Sequence, residues 1–321
     1  MRICRTEREG KMKIHSTAII DKKAEIGDST SIGPYTRIEG DVVIGKDCEI
    51  MQGAQILDGA RIGDRCQIHQ GAIISALPQD KKFEGYRSFL KIGNDSIIRE
   101  YATISRSTKK DGSTVIGKNA YLMTGVHIGH DCSIGDNVTI ANLVTLAGHV
   151  TIEDLVNIGG ITVIHQFVRV GELSMIGGDS GLMMDAPPYM ITFGYPPARV
   201  YGINAIGMKR NNVNEETRML LKRAYRTLFR SNLNFSQAIE KIETEMPKND
   251  KLSHLVEFFK TTKRGISAST HTGQMSHFRG YNGYDMTNFK SLLDIMKDEE
   301  AVREIITFLA SKTEETHRFQ G

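Results

Sequence analysis

The chain of 321 residues has no tryptophan, four cysteines and no apolar run near the length of a membrane helix. Each absence excludes something. Without a run of roughly 18 apolar residues, no helix is expected to span a bilayer. Cys4, Cys48, Cys66 and Cys132 are scattered, with no C-x-x-C pair, which argues against a disulfide framework and fits a reduced cytoplasm. Neither sign of charge dominates: Lys plus Arg number 41 against 38 Asp plus Glu, a net charge of +3. With so small a surplus and no reading motif, a nucleic-acid partner is not expected. The opening residues are polar and lack the apolar centre of a secretory signal. Residues 1–11, ahead of Met12, are expected to be a frayed tail or a mis-assigned start. What is plentiful is glycine, with 31 residues, a composition that suits a repetitive β architecture with many turns.

That repetition is explicit. From Ile20, isoleucine recurs every six residues through Ile26, Ile32, Ile38, Ile44, Ile50, Ile56, Ile62, Ile68 and Ile74. The series resumes at Ile92, Ile98 and Ile104, and again from Ile116 through Leu122, Ile128, Ile134, Ile140, Leu146, Ile152, Ile158, Ile164 and Val170 to Ile176. Two positions before nearly every one stands a small or β-branched residue such as Ala54, Ala60, Cys66, Ala72 or Thr162. A period of six fits neither an α-helix nor a sandwich strand. It fits a triangular coil in which each short strand sends one large aliphatic inward, so that three hexads make one coil. Gly-polar pairs such as Gly27-Asp28, Gly45-Lys46 and Gly117-Lys118 are expected to turn the chain, where a Cβ would be in the way. The fold class is therefore mainly β: a left-handed parallel β-helix of hexapeptide repeats over about 18–182, within a domain spanning 12–205. Two interruptions, 77–90 and 106–113, read as loops thrown out of the coil, where binding usually lives.

After Pro187-Pro188 the hexad fades, and Pro196-Pro197 is expected to end the strands. A C-terminal α-helical domain follows over 206–266. Its first long helix starts at an Asn214 cap with Glu215 and Glu216 behind it, and carries Met219, Leu220, Ala224, Leu228 and Phe229. Shorter helices are expected near 235–246 and 251–263. Arg218, Lys222 and Arg226 recur every four residues and line one stripe, which attracts an acidic partner or phosphate. A solvated helix face is the plainer alternative. Residues 267–321 read as a linker plus a helical extension of unknown role.

Four of the ten histidines fall between 127 and 165. His127, His130, His149 and His165 all avoid the inward phase, so they point outward. Stacking by one coil brings His149 beside His130, and one coil further reaches Gln166 and Phe167, next to His165. His130 is followed by Asp131. An imidazole is the natural general base at neutral pH, and a carboxylate can fix its tautomer. Three imidazoles can also bind zinc, as in the γ-class carbonic anhydrases that share this fold, but their wide ligand spacing is missing here.

With those residues in hand, 12–266 resembles the UDP-N-acetylglucosamine acyltransferases of lipid A synthesis in Gram-negative bacteria. The resemblance is carried by Lys13-Ile-His-Ser-Thr-Ala-Ile-Ile-Asp, Pro78-Gln-Asp, Arg99-Glu, His127-Ile-Gly-His-Asp-Cys, Leu146-Ala-Gly-His-Val, Val163-Ile-His-Gln-Phe, Pro187-Pro-Tyr, Gly202-Ile-Asn and Gly207-Met-Lys-Arg. It implies a cytoplasmic homotrimer with active sites in the clefts between subunits. It implies transfer of a 3-hydroxyacyl chain from the phosphopantetheine arm of acyl carrier protein to the sugar 3-position, with no cofactor and no metal. It further implies His130 as general base, Asp131 as its orienting group and the Gly148 N–H as oxyanion donor. Asp80 and Lys82 resemble sugar contacts, and His127, His149, His165 and Gln166 resemble the lining of the cleft. Asn204 and Arg210 match positions near the nucleotide phosphates and the phosphopantetheine. Acyl carrier proteins are acidic, which gives the stripe of Arg218, Lys222 and Arg226 a docking partner.

The chain also departs from that pattern. Asn211 stands where relatives often carry a further arginine, Ile206 where some have glutamate, and Ser105 where some have histidine. Gly178 and Tyr195-Pro196-Pro197 lie in the region tied to acyl length, which the sequence leaves open. Two rivals stand beside the O-acyltransferase: an N-acyltransferase on the 3-amino analogue of the sugar nucleotide, and a zinc-dependent or non-catalytic hexapeptide protein.

Overall fold

The structure is a computed structural model and describes residues 13–267. The expectations for 1–11 and for the extension beyond 267 lie outside the described residues. Inside them, the hexads wind into a left-handed parallel β-helix. One face runs from Lys13–Ile14 to Met175–Ile176, the second from Ile19–Ile20 to Gly181–Leu182, and the third from Glu25–Ile26 to Arg169–Val170. Strands pair in parallel with the coil above, Ile14 over Ile32 and Ile20 over Ile38. A hydrogen bond from one coil to the next typically spans 18 residues. It lengthens to 30 across the first loop and 24 across the second, so both interruptions are excursions that leave the stack in phase.

The core follows the sequence phase. The inward isoleucines and the small residues two before them form one continuous buried cluster from Ile32 to Leu182. Burying each such side chain contributes about 1.5–3 kcal/mol, which is why phase is kept so strictly. The corners, however, are made differently from expectation. At most corners the left-handed residue is the third after the inward aliphatic: Ser29 after Ile26, Asp47 after Ile44, Asn119 after Ile116. The glycine directly after the aliphatic serves another purpose. A Cβ on Gly27 would lie 2.6 Å from the carbonyl carbon of Gly45 in the next coil. Close stacking of coils, and not turning, is what excludes a side chain there.

The strands also outlast the proline pair. Met190–Phe193 pairs antiparallel with Arg199–Ile203, and Pro196-Pro197 sits in the loop between them. Among the described residues four helices follow: α1 (Ala205–Arg210), α2 (Glu215–Phe229), α3 (Phe235–Glu245) and α4 (Asp250–Lys260). Asn214 caps α2, accepting from Thr217 N–H at 2.8 Å. Its buried face is Leu221, Ala224, Tyr225, Leu228 and Phe229, whereas Met219, read as part of the apolar face, is exposed on the opposite side. This face packs with Leu173, Tyr189, Met190 and Val200, so the helices cover the last coil. Beyond α4 the chain returns to that coil. Thr262 Oγ1 donates to Asp185 at 2.7 Å, and Ser267 N–H donates to the Asp185 carbonyl at 2.9 Å.

One polar cluster ties helix to coil. His254 of α4 lies 3.0 Å from Glu153 Oε2 through Nε2 and 2.7 Å from Tyr189 Oη through Nδ1. Glu172 accepts from Tyr189 Oη at 2.7 Å and from Lys251 Nζ at 2.9 Å. The hydrogen bond to Glu153 raises the His254 pKa above its ordinary 6.5, overriding burial, which opposes it. A raised imidazole contributes stability that is fully present below about 6.5 and lost as pH rises through the folded value. The melting temperature of the wild type should therefore fall as pH rises from 6 towards 9, and that of His254→Gln should fall less. Equal slopes for the two proteins in scanning calorimetry would show that the cluster does not titrate in this way.

Candidate active site

The second and third faces meet at a corner whose left-handed residues stack one per coil: Asp131, His149 and Phe167, with φ of 60°, 62° and 65°. Because the corner repeats in register, consecutive coils place these side chains in a column. His130 and His149 meet edge to face with ring centroids 5.2 Å apart, and Phe167 stacks on His149 at 4.6 Å. His127 is on the second face one strand earlier, with Nδ1 2.8 Å from Thr103 Oγ1. His165 Nδ1 lies 3.2 Å from the Gln166 carbonyl, and Gln166 is exposed.

His130 is held on both sides. Its Nδ1 is 2.8 Å from Asp131 Oδ2. Its ring lies against Gly148, where a Cβ would come within 2.5 Å of Cε1 and 2.7 Å of Nε2. Only glycine lets the imidazole approach the turn so closely. Among the described residues nothing accepts a hydrogen bond from the Gly148 N–H, so that donor is available beside the ring.

Asp131 is the most constrained group. Burial on its own would push its carboxyl up, but donors from Ser107, Thr108 and His130 outweigh it and hold the group at about 2. His149 Nε2 lies 3.7 Å from the same carboxylate. Burial lowers the pKa of His127 and of His149, with the His130 charge adding to it in both cases. Lys109 and Asp80 are near enough for their opposite charges to act on His149, which brings both loops to the cluster. Asp80 Oδ1 also accepts from the Lys82 N–H at 2.9 Å, folding the tip of the first loop.

His130, Asp131 and His149 offer ligand atoms within 4.8 Å of one another, the spacing of a metal site. Donors from Ser107 and Thr108 already engage both Asp131 oxygens, and a metal there would compete with them.

Other expected site residues lie away from this corner. Asn204 is buried and committed inward: Oδ1 accepts from Gly207 N–H at 3.0 Å to cap α1, and Nδ2 donates to the Leu173 carbonyl at 2.8 Å. Arg210 ends the same helix and is exposed. On α2, Lys222 and Arg226 are exposed, while Arg218 donates to the Val213 carbonyl at 2.7 Å. No contact within the chain joins any of these to the histidines among the described residues. The residues that sequence reasoning missed are Ser107, Thr108 and Phe167 as a stacking partner. The break in the hexads at 106–113 signalled the first two, but not which side chain they would meet.

Comparison with known proteins places this geometry in context. A profile described as UDP N-acetylglucosamine O-acyltransferase, domain 2, matches residues 185–267. The bacterial transferase hexapeptide profile matches 23–54, 41–76 and 113–148. The chain is 47% identical over 255 residues to the acyl-[acyl-carrier-protein]–UDP-N-acetylglucosamine O-acyltransferase of Thermodesulfovibrio yellowstonii, covering 79% of this chain and 98% of that one. It is 44% identical to the protein of the same name from Syntrophobacter fumaroxidans over 256 residues, 79% of this chain and 99% of that one. Among solved structures, it is similar to the UDP-N-acetylglucosamine acyltransferase of Campylobacter jejuni, with TM-score 0.75, 38% identity and coverage of 80% and 99% of the two chains. The enzyme of Francisella novicida gives TM-score 0.77 at 35% identity, covering 85% of this chain and all (100%) of that one.

Replacing Asp131 with alanine strips Ser107 and Thr108 of their acceptor. A carboxyl lowered from 3.8 to about 2 contributes roughly 2 kcal/mol above its unfolded value, lost as pH falls through the folded one. Asp131→Ala should thus be less stable than wild type by about 2 kcal/mol at neutral pH, with the gap closing between about pH 4 and pH 2. Denaturant melts at both ends of that window measure it, and a gap independent of pH would remove the assignment.

Proposed function

The chain belongs to the acyl-[acyl-carrier-protein]–UDP-N-acetylglucosamine O-acyltransferases, and from that premise we propose that His130 is the general base of its acyl transfer. As a member of that family of lipid A synthesis, the chain moves an acyl group from acyl carrier protein to UDP-N-acetylglucosamine. The donor chain is a 3-hydroxyacyl group and the acceptor is the sugar 3-hydroxyl. The observation that carries the mechanism is the 2.8 Å contact between His130 Nδ1 and a carboxylate kept anionic. With Nδ1–H donated to Asp131, the neutral ring presents a lone pair at Nε2.

Nε2 takes the proton of the 3-hydroxyl as its oxygen attacks the thioester carbonyl. The Gly148 N–H, beside the ring, stabilises the oxyanion of the tetrahedral intermediate. Collapse breaks the C–S bond, and the imidazolium returns its proton to the departing phosphopantetheine sulfur. The thioester is already activated, so the residues here need no metal or cofactor to complete the transfer.

Asp80 and Lys82 contact the sugar from the first loop. His127, His149, His165 and Gln166 line the cleft, and Arg210, on the helix that Asn204 caps, meets the phosphates or the phosphopantetheine. The enzyme is a cytoplasmic homotrimer. Supporting self-association, the corner between the first and second faces exposes Tyr101, Leu143 and Ile161 by 68%, 58% and 62%. Apolar residues stacked along one edge are unusual on a surface that faces only water. Among the described residues no helix is long and apolar enough to cross a membrane. Acyl carrier protein docks on the α2 stripe of Arg218, Lys222 and Arg226.

A transfer assay with a panel of 3-hydroxyacyl carrier proteins, offering UDP-N-acetylglucosamine beside its 3-amino analogue, tests the reading. Transfer to the hydroxyl acceptor supports it, preference for the amine favours the N-acyltransferase, and stoichiometric zinc in an inactive protein favours the metal alternative. In the same assay His130→Ala should lose at least about 100-fold in turnover. A variant near the wild-type rate would remove His130 from the chemistry.

Reversing Arg218, Lys222 and Arg226 to glutamate should raise KM for the acyl carrier protein at low salt and leave KM for the sugar nucleotide unchanged. The difference should shrink as salt screens the charges. Unchanged KM for the carrier protein at low salt would reject the docking surface.

A further inference from the structure

The second loop reaches the site through one group. Asp131 has a side chain only 6% exposed, and donors face both of its oxygens. Ser107 Oγ donates to Oδ1. Thr108 donates twice to Oδ2, from its N–H at 3.2 Å and its hydroxyl at 2.6 Å. The fourth contact is His130 itself, 2.8 Å away. The backbone is pinned as well, since Asp131 N–H donates to Thr114 Oγ1 at 2.9 Å.

The loop residues are in turn fixed from behind. Ser107 is fully buried, and its Oγ accepts from the Lys109 N–H at 3.0 Å. Its carbonyl takes the Ser88 hydroxyl at 2.6 Å, and its N–H donates to the Phe89 carbonyl at 3.3 Å. Ser88 and Phe89 are where the first loop rejoins the coil. The start of the loop at Ser107 and Thr108 is thus a rigid bracket aimed at one carboxylate. A loop that served only to bridge two coils would have no reason to spend two hydroxyls and an amide on a single buried acid.

We propose that Ser107 and Thr108 are positioning residues for acyl transfer, locking the Asp131 carboxylate in the one orientation that keeps His130 aimed with Nε2 free. The proposal rests on His130 being the base. Loss of either hydroxyl lets the carboxylate rotate, and the imidazole, resting on Gly148, follows it. A displacement of the base by a fraction of an ångström is enough to cost rate without touching substrate affinity.

The test is steady-state kinetics on the full chain with UDP-N-acetylglucosamine and the best donor of the carrier-protein panel. Ser107→Ala and Thr108→Val should each lower kcat about 10-fold with both KM values unchanged. Thr108→Ser, which keeps the hydroxyl, should restore most of the rate. In an Asp131→Asn background the same two changes should cost little more, because the group they position is already altered. Melting temperatures identify any variant that has lost its fold, and the Thr108→Val against Thr108→Ser comparison then decides. Wild-type kcat in Ser107→Ala and Thr108→Val overturns the proposal. So does a Thr108→Ser variant no better than Thr108→Val, or an undiminished loss on top of Asp131→Asn. Each of these results, with His130→Ala inactive, leaves the base intact and removes only the bracket. A fully active His130→Ala instead removes the base, and the bracket with it.

Discussion

Everything in this molecule hangs on one repeated constraint: each coil must close over the last with its aliphatic pointing inward. The constraint is strong enough to override local preference at the corners. Leu143 and Ile161 take left-handed backbone angles, φ 61° in each, that bulky and β-branched residues resist. Such a conformation costs on the order of 1–3 kcal/mol and persists only where the surroundings dictate it. Here the dictating terms are the ladder of parallel strands and the buried isoleucines above and below. The same register is what gives the site its order. Residues one coil apart become neighbours without any contact having been selected separately, so Asp131, His149 and Phe167 form a column because they share a corner.

Chemistry enters where the register is interrupted. An uninterrupted prism has outward side chains in rows, but little to reach across them. The loops at 77–88 and 106–112 supply that reach, and both end on structure that holds them still. Arg87 of the first loop pairs with Asp41 at 2.9 Å, and the guanidinium groups of Arg61 and Arg87 lie 4.8 and 5.0 Å from the Phe89 ring centre. The second loop closes on Asp131. A rigid solenoid with braced loops keeps its donors in place before substrate arrives, which is what electrostatic stabilisation of an oxyanion requires.

The legibility of the sequence follows from the same physics. The coil could be read because burial enforces one residue type at one phase, and a period of six admits no common alternative. The outward disposition of the four histidines followed directly from that phase. Corner chemistry was harder, since glycine is demanded both by positive φ and by close stacking, and the pattern shows the residue without the reason. Gly27 illustrates the second reason, Gly125, with φ of 70°, the first. The break at 106–113 marked Ser107 and Thr108, but not what they would meet, because a loop has no period. Their partner lies 24 and 23 residues away, a distance set by the length of the excursion itself. Asn204 shows the converse: its match to a phosphate-proximal position was readable, but its side chain caps α1 through Oδ1 and donates to the Leu173 carbonyl through Nδ2. The resemblance preserved the place of the residue without saying what its amide does.

Asp131 also bears on the proposal that a cluster with the spacing of a metal site works as a base. A metal needs ligand lone pairs that face a common point. In this corner the carboxylate oxygens are turned towards the loop hydroxyls, and His130 spends Nδ1 on Asp131. What remains directed away from the acid is Nε2 of His130, next to an amide N–H with no acceptor among the described residues. One lone pair and one donor, side by side, are the two features acyl transfer asks of a protein: somewhere for a proton to go and somewhere for negative charge to rest. The acid that might have completed a metal site is instead what keeps those two features pointing outward.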